Sequence, residues 1–375
     1  MQFADIYGLT ETKKRLLRAI KNRQIAHAQL FFGNSGCANL SLALAYACFI
    51  HCEQAQAEDS CGQCPSCKKH KKFIHPDLNF VFPVTTSKKV STKPLSQDYL
   101  EEWRDALRQN PYLSLSRWLE IIGAENKQAN ISVEESRNII KTLSLKAYEG
   151  GYKILMIWLP EFMNIQSANA ILKILEEPRP DTLFLLVSQN YQKLLPTILS
   201  RVQSVQIPDF TDEEIQTNLL QHHDLDIQKV KNIAYLAAGD LNRALELVGE
   251  MAQDPHDFLR DWLRACYKSD FTQFYHFTEQ FNQWAKDAQK SLFGYGLNTF
   301  REALVFKSGN LALMRMSDEK VKFVQGFSGT LNIEKIEDLY TIFNEAMYHL
   351  ERNANAKITF MDVSLQLARL FRTAS

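Results

Sequence analysis

Three short apolar runs constrain this chain more than any other feature: Ala28-Gln29-Leu30-Phe31-Phe32, Lys153 to Leu159, and the start of "TLFLLVSQN" at 182–190. Runs that lack polar alternation belong to strands covered on both faces, which is the condition of a parallel sheet. Helix signals lie between them. Ser132 is placed as an N-cap, with Glu135 three residues on to complete a capping box, and this helix ends before Gly150-Gly151. "NIQSANAILKILEEPRPD" reads as a helix stopped by Pro178, and "LLPTIL" as a short helix before a last strand. Strands alternating with helices predict an α/β domain that closes near Pro208. Thr211 and Glu214 form a second capping box and open a small helical bundle over 211–250. From about 255 onward the pattern is helical and rich in aromatics.

Charge excludes one class of function. Lys plus Arg equal Asp plus Glu, 43 against 43, so no global basic field holds nucleic acid. The N-terminal segment has no basic stretch leading into an apolar one, and no window approaches about 18 uninterrupted apolar residues. The expectation is a cytoplasmic protein without a membrane partner, whose seven cysteines are thiols or metal ligands.

Four of those cysteines, Cys52, Cys61, Cys64 and Cys67, follow C-x8-C-x2-C-x2-C. Tetrahedral zinc takes four thiolates, and each C-x2-C places two on one turn. With all four ligands from protein, the expected metal is structural zinc. A redox C-x-x-C would open a helix after a strand, which this motif does not do. Cys37, Cys48 and Cys266 fit no such spacing and read as small buried apolar residues.

"GNSGCANLS" (33–41) lies between the first apolar run and a helix-like stretch, the setting of a phosphate-binding G-x-x-x-x-G-K-[ST] loop. Gly33 fits that template. Ala38 stands for the second glycine and penalises a positive φ; Asn39 stands for the lysine and Leu40 for the hydroxyl residue. From Gln24 to Cys67 there is no Lys or Arg. The later strand ends in Trp158 and Leu159 where a magnesium-holding acid is expected, and Glu161, beyond Pro160, reads as a solvated turn residue. The loop is thus expected neither to bind ATP tightly nor to hydrolyse it.

Residues 168–210, "ANAILKILEEPRPDTLFLLVSQNYQKLLPTILSRVQSVQIPDF", resemble bacterial clamp-loader AAA+ subunits. Asn169, Ala170, Leu172, Lys173, Leu175, Glu176, Glu177 and Pro178 fit the family's "NALLKxLEEPP" helix. Ser200 and Arg201 fit its "SRC" motif, with Val202 in place of the cysteine. "HAQLFFG" (27–33), "HPDLNFV" (75–81) and the four-cysteine module are also similar to the family. The resemblance is specific over 1–83 and 131–210, and the insertion at 84–130 has no counterpart in it.

The resemblance implies an AAA+ core over 1–209, with a zinc module at about 51–70, then a helical lid over 210–250 and an all-α collar over 251–375. It implies a non-catalytic member of the DNA polymerase III clamp loader, in a hetero-pentamer with motor ATPase subunits and a delta subunit. Such a subunit meets the sliding clamp and primer-template DNA through the complex. Arg201, supported by Ser200, is implied as an arginine finger acting on a neighbour's ATP, because guanidinium is permanently charged and contacts phosphate oxygens through two N–H groups. Arg243 falls at the family's second arginine sensor, and 353–371 at the final collar helix. Three alternatives stand beside this: a motor ATPase, which needs the missing lysine and acids; a zinc nucleic-acid-binding protein using Lys68, Lys69, Lys71 and Lys72; and a ring member whose Arg201 is inert.

Overall fold

The computed structural model describes residues 1–372 apart from 126, 251–254, 285, 310–317 and 353. Residue 126 of the insertion and residue 353 of the expected final helix therefore lie outside the described residues. Two compact units form: one takes 1–225 and 238–243, the other 226–237 and 244 onward. The segment 210–250 is divided between them.

The first unit is built on a five-stranded sheet: β1 (Ala28–Phe32), β2 (Leu78–Val81), β3 (Lys153–Trp158), β4 (Thr182–Ser188) and β5 (Gln203–Gln206). Their order is β2-β3-β4-β1-β5, and every pairing is parallel. The α/β parallel sheet expected from the apolar runs is what forms. All six residues of β3 and all seven of β4 are buried, because helices cover both faces. The helices of this unit are α1 (Thr10–Lys21), α2 (Asn39–His51), α3 (Pro65–Lys71), α4 (Leu100–Gln109), α5 (Leu115–Ile121), α6 (Val133–Leu143), α7 (Ile165–Glu176), the single-turn α8 (Pro196–Leu199) and α9 (Asp212–His222). Helix α2 is buried from Asn39 to Phe49. It runs centrally behind the sheet, so it has no polar face to present.

Local signals decide the helix ends. Thr211 and Glu214 close the expected reciprocal box at the start of α9. Ser132 caps α6, accepting the Glu135 N–H at 3.2 Å, but the box there is not completed. Glu135 instead turns into the insertion, where its Oε2 accepts the Ser96 N–H at 2.6 Å. The helix also ends at Leu143, well short of Gly150. The insertion itself folds: Trp103, Ala106 and Leu107 of α4 and Trp118 and Leu119 of α5 point into the unit.

The second unit is helical: α10 (Ile227–Ala237), most of α11 (Leu241–Glu250), α12 (Pro255–Lys268), α13 (Phe271–Asn282), α14 (Lys286–Lys307), α15 (Asp318–Thr330), α16 (Ile333–Glu351) and α17 (Ala356–Arg372). Its core is aromatic. Trp262 stacks on Phe360 with centroids 4.3 Å apart, and Phe360 on Phe281 at 4.4 Å. The Trp262 indole N–H is satisfied by Ser364 Oγ at 2.9 Å, as a buried indole requires.

Candidate functional site

Arg201 follows α8 directly and leads into β5. Its Nε lies 2.6 Å from Glu176 Oε1, and an Nη group bonds the same oxygen. The other Nη donates to the Thr197 carbonyl at 2.7 Å and to Ser200 Oγ at 3.0 Å. The side chain is 30% exposed and its carboxylate partner 47%. Arg201 therefore sits at the rim of an open cleft with His27, Leu175, Ser200 and Gln203, reachable from outside yet held by its own chain. Val202 is half-buried: it packs against the core cluster that includes Ile198 and Leu194 and also lines the cleft, so valine in place of the family cysteine serves packing.

The glycine loop lies between β1 and α2, as its sequence context requires. At Gly33 a methyl group would fall 2.5 Å from the Ile207 carbonyl oxygen and 2.6 Å from Cys37 Sγ, so only glycine fits. The positive φ in the loop belongs to Gly36, at 72°. Ala38 has φ −80°, which corrects the expectation that alanine there carries a backbone penalty. Asn39, at the lysine position, turns away: its Nδ2 donates to the Ser188 carbonyl at 3.1 Å, tying α2 to the end of β4. Leu40, at the hydroxyl position, is buried. Cys37 is also buried, and its thiol is pushed up to about 12, first by burial and then by the charges of Asp209 and Asp240.

Trp158 ends β3 where the acid was expected. It is buried, with its ring 5.0 Å from that of Trp103 in the insertion. Glu161 is not the solvated turn residue that its sequence position suggests. Its Oε1 accepts the N–H groups of Gln189 at 2.9 Å and Asn190 at 3.0 Å, fixing the turn after β4. Arg243 lies in the first turn of α11, with its N–H on Asp240 Oδ1 at 2.8 Å.

The four cysteines predicted as ligands do come together, one Sγ each within 4.8 Å of the others. The backbone supports thiolates. Cys61 Sγ accepts N–H groups from Cys64 at 3.3 Å and Gln63 at 3.5 Å, and these pull the Cys61 thiol down to about 6. Cys52 Sγ accepts the Cys61 N–H at 3.2 Å. Burial pushes Cys67 the other way, up from its ordinary value. Four sulfurs at this spacing, with N–H donors around them, fit a tetrahedral metal. Cys48 is buried as expected, but sequence spacing gave no sign that its Sγ stands 4.0 Å from that of Cys67.

A second cluster adjoins the cysteines and was not read from the sequence, because its members come from three separate elements. His51, His70 and His75 each offer a ring nitrogen within 4.8 Å of the others. His51 Nε2 faces the Tyr152 carbonyl at 2.7 Å, which assigns the proton to that nitrogen and leaves Nδ1 to accept from His70 Nε2 at 2.8 Å. His75 Nδ1 accepts the Asp77 N–H at 3.2 Å, and its Nε2 lies 3.2 Å from Glu149. Burial holds all three pKa values below the ordinary one, which favours neutral imidazoles. Of the nearby lysines, Lys69 pairs with Glu149, while Lys68, Lys71 and Lys72 are exposed.

A sequence profile of the family described as "DNA polymerase III, delta subunit" matches residues 8–211. A DNA polymerase III subunit delta' of Pseudomonas aeruginosa is 29% identical over 178 residues, 48% of this chain and 42% of the relative. The subunit delta' of Bacillus subtilis is 27% identical over 209 residues, 56% of this chain and 50% of the relative. The tau subunit of Bacillus subtilis is 25% identical over 264 residues, 69% of this chain and 39% of the relative. The chain thus spans half or less of the length of these curated relatives. Among the described residues, no helix is long and apolar enough to cross a membrane.

Proposed function

Because the chain belongs to the DNA polymerase III delta-prime family of clamp-loader subunits, we propose that it is the non-catalytic delta-prime member of a clamp loader, lending Arg201 to the ATP site of a neighbouring motor subunit. The observation that carries this is a contrast within one domain. Asn39, Leu40 and Trp158 occupy the positions of the lysine, hydroxyl and acid of a nucleotide site, while Ser200-Arg201 stands at the rim of an open cleft. A domain that keeps the scaffold and the outward arginine, without the groups that hold its own nucleotide, is suited to serve an interface.

In this role the guanidinium leaves Glu176 and points its N–H pair at the phosphate oxygens of the neighbour's nucleotide. Its charge offsets the negative charge that develops during phosphoryl transfer. Ser200 Oγ, 3.0 Å from one Nη, orients the fork. This chain moves no proton and holds no substrate. Its own contribution to the cycle is position and charge. The α/β domain would serve as the AAA+ core, residues 210–250 as the lid and 251–375 as the collar that holds a hetero-pentamer with motor subunits and a delta subunit. Clamp and primer-template DNA would be met through that assembly. Cys52, Cys61, Cys64 and Cys67 would hold zinc, whose chemistry in an all-protein shell is structural closure.

A second reading is supported by the Arg201–Glu176 bond itself: the arginine is an internal clasp and the subunit a structural ring member. Reconstitution tests the role. Mixed with the motor and delta subunits, this chain should enter one complex by size-exclusion light scattering, and alone it should turn over no ATP. Failure to enter the complex, or ATP turnover by the isolated chain, would overturn the assignment.

A further inference from the structure

The insertion at 84–130 is the one sequence segment that the proposed function leaves without a role, and its placement assigns it one. From α4 and the turn that follows it, two contacts reach the two halves of the glycine-loop site. At one, the Pro111 carbonyl accepts the Ser41 hydroxyl at 3.2 Å, two residues into α2 from Asn39. At the other, Trp103 lies against Trp158 at the end of β3.

Around Pro111 the segment is fixed on every side. The Asn110 Nδ2 donates to Asn242 Oδ1 at 2.6 Å, and Asn110 Oδ1 accepts the Tyr112 N–H at 2.9 Å. Tyr112 is only 7% exposed, with its ring edge-on to Phe210 at 5.7 Å. The ring thus packs against Phe210 in the turn after the last strand, one residue from the carbonyl that bonds Ser41 of α2.

Two carboxylates stand over the phosphate side. Asp240 Oδ1 caps α11 and lies so near the loop that a methyl group at Gly36 would meet it at 1.7 Å. The Leu241 N–H donates to the Gly36 carbonyl at 3.1 Å, holding that carboxylate over the loop. On the other flank, Asp209 Oδ2 accepts Asn34 Nδ2 at 2.8 Å. A phosphate-binding loop needs N–H groups and positive charge facing the ligand. This one faces two carboxylates.

We infer that residues 110–112 are an internal occupant of the vestigial nucleotide site, with Tyr112 in the base half and Asp209 and Asp240 over the phosphate half. This deepens the proposed function and rests on its reading of the loop as vestigial. The insertion that carries these residues is also tied to α6, where Glu135 Oε2 accepts the Ser96 N–H at 2.6 Å.

The test is fluorescence titration with Mg²⁺ and a MANT-labelled ATP on four full-length chains, each checked for folding by circular dichroism. These are the natural chain, a loop-restored variant (Ala38→Gly, Asn39→Lys, Leu40→Thr, with Asp209→Asn and Asp240→Asn to free the phosphate half), the single variant Tyr112→Ala, and the combination. The natural chain and the loop-restored variant should not bind, and the combination should bind at least tenfold more tightly than the loop-restored variant. Binding by the natural chain would overturn the vestigial reading itself. Binding by the loop-restored variant as tight as by the combination, or a folded combination that fails to bind, would overturn the occupant. Should the combination not fold, hydroxyl-radical footprinting of the natural chain decides: Tyr112 should be protected at least tenfold relative to Tyr148, which is 84% exposed. Equal modification of the two would overturn the proposal.

Discussion

Arg201 directs two of its nitrogens at a single oxygen, Oε1 of Glu176, the last residue of α7. The pair joins the "LEEP" segment to the Ser-Arg segment at the rim of a cleft, and both partners are partly in solvent. An ion pair in that setting is worth about 0–1 kcal/mol, so exchanging the carboxylate for a phosphate costs little. The bond is compatible with an arginine waiting for a partner.

Glu176→Ala is therefore expected to leave stability within about 1 kcal/mol of the natural chain. In an assembled loader it should leave stimulated ATP turnover equal or higher, because Arg201 is released. Chemical denaturation and steady-state ATPase check the two halves. A loss of turnover as deep as that caused by removing Arg201 would mean that the two residues act as a unit inside this chain.

The aromatic contact behind the insertion should be expensive to break. Trp158 and Trp103 are both fully buried, and Trp103 also stacks on Phe82 at 4.3 Å. Truncation of either to alanine is expected to cost about 3–5 kcal/mol in urea unfolding. Because their rings touch, the double variant should cost less than the sum of the singles. Additive losses would show that the two rings are not coupled.

Glu135 makes a prediction with a definite sign. Burial pushes its carboxyl above the ordinary range, against the opposing pull of the Ser96 N–H. The folded chain then holds the proton more tightly than the unfolded one. Stability from this group is present at acid pH and is lost as pH rises from about 4.3, the ordinary glutamate value, through the raised folded one. Glu135→Gln keeps an acceptor for Ser96 and removes the titration. Between pH 4 and 7 the melting temperature of the natural chain should fall relative to that of the variant. Parallel curves would contradict the burial.

The cysteine module should be metal-dependent. Chelation, or Cys64→Ser, is expected to reduce bound zinc from about one ion per chain to none. It should also loosen the N-terminal segment. Asp59 accepts the Phe3 N–H at 3.0 Å and the Ala4 N–H at 2.8 Å, and the Ser60 carbonyl accepts Gln2 Nε2 at 2.6 Å. Metal analysis with hydrogen exchange at residues 2–6 reads both effects. Unchanged metal content would remove the cysteines from the ligand set.

The sheet was legible because β3 and β4 carry their burial in uninterrupted apolar runs, and the cysteine cluster because its spacing is local. Arg201 was legible only through resemblance, since a lone arginine carries no periodic signal. Glu135 and Glu161 were misread for one reason: each was assigned from its sequence neighbours, and each bonds backbone N–H groups far along the chain. Tyr112 and the histidine cluster were missed because their partners are brought together by the sheet order, which no window of sequence contains. The misreading of Ala38 came from placing the loop's positive φ two residues from Gly36, where it lies.

The most direct measurement is DNA- and clamp-stimulated ATPase of a reconstituted loader carrying Arg201→Ala in this subunit, with assembly verified by size. Fingers of this kind are worth about 10³–10⁵ in rate in GTPases. Even with the neighbours' other sites intact, a large part of the stimulated rate should be lost while the complex remains whole. An intact mutant complex that turns over ATP like the natural one would contradict the account and leave Arg201 as a clasp on Glu176.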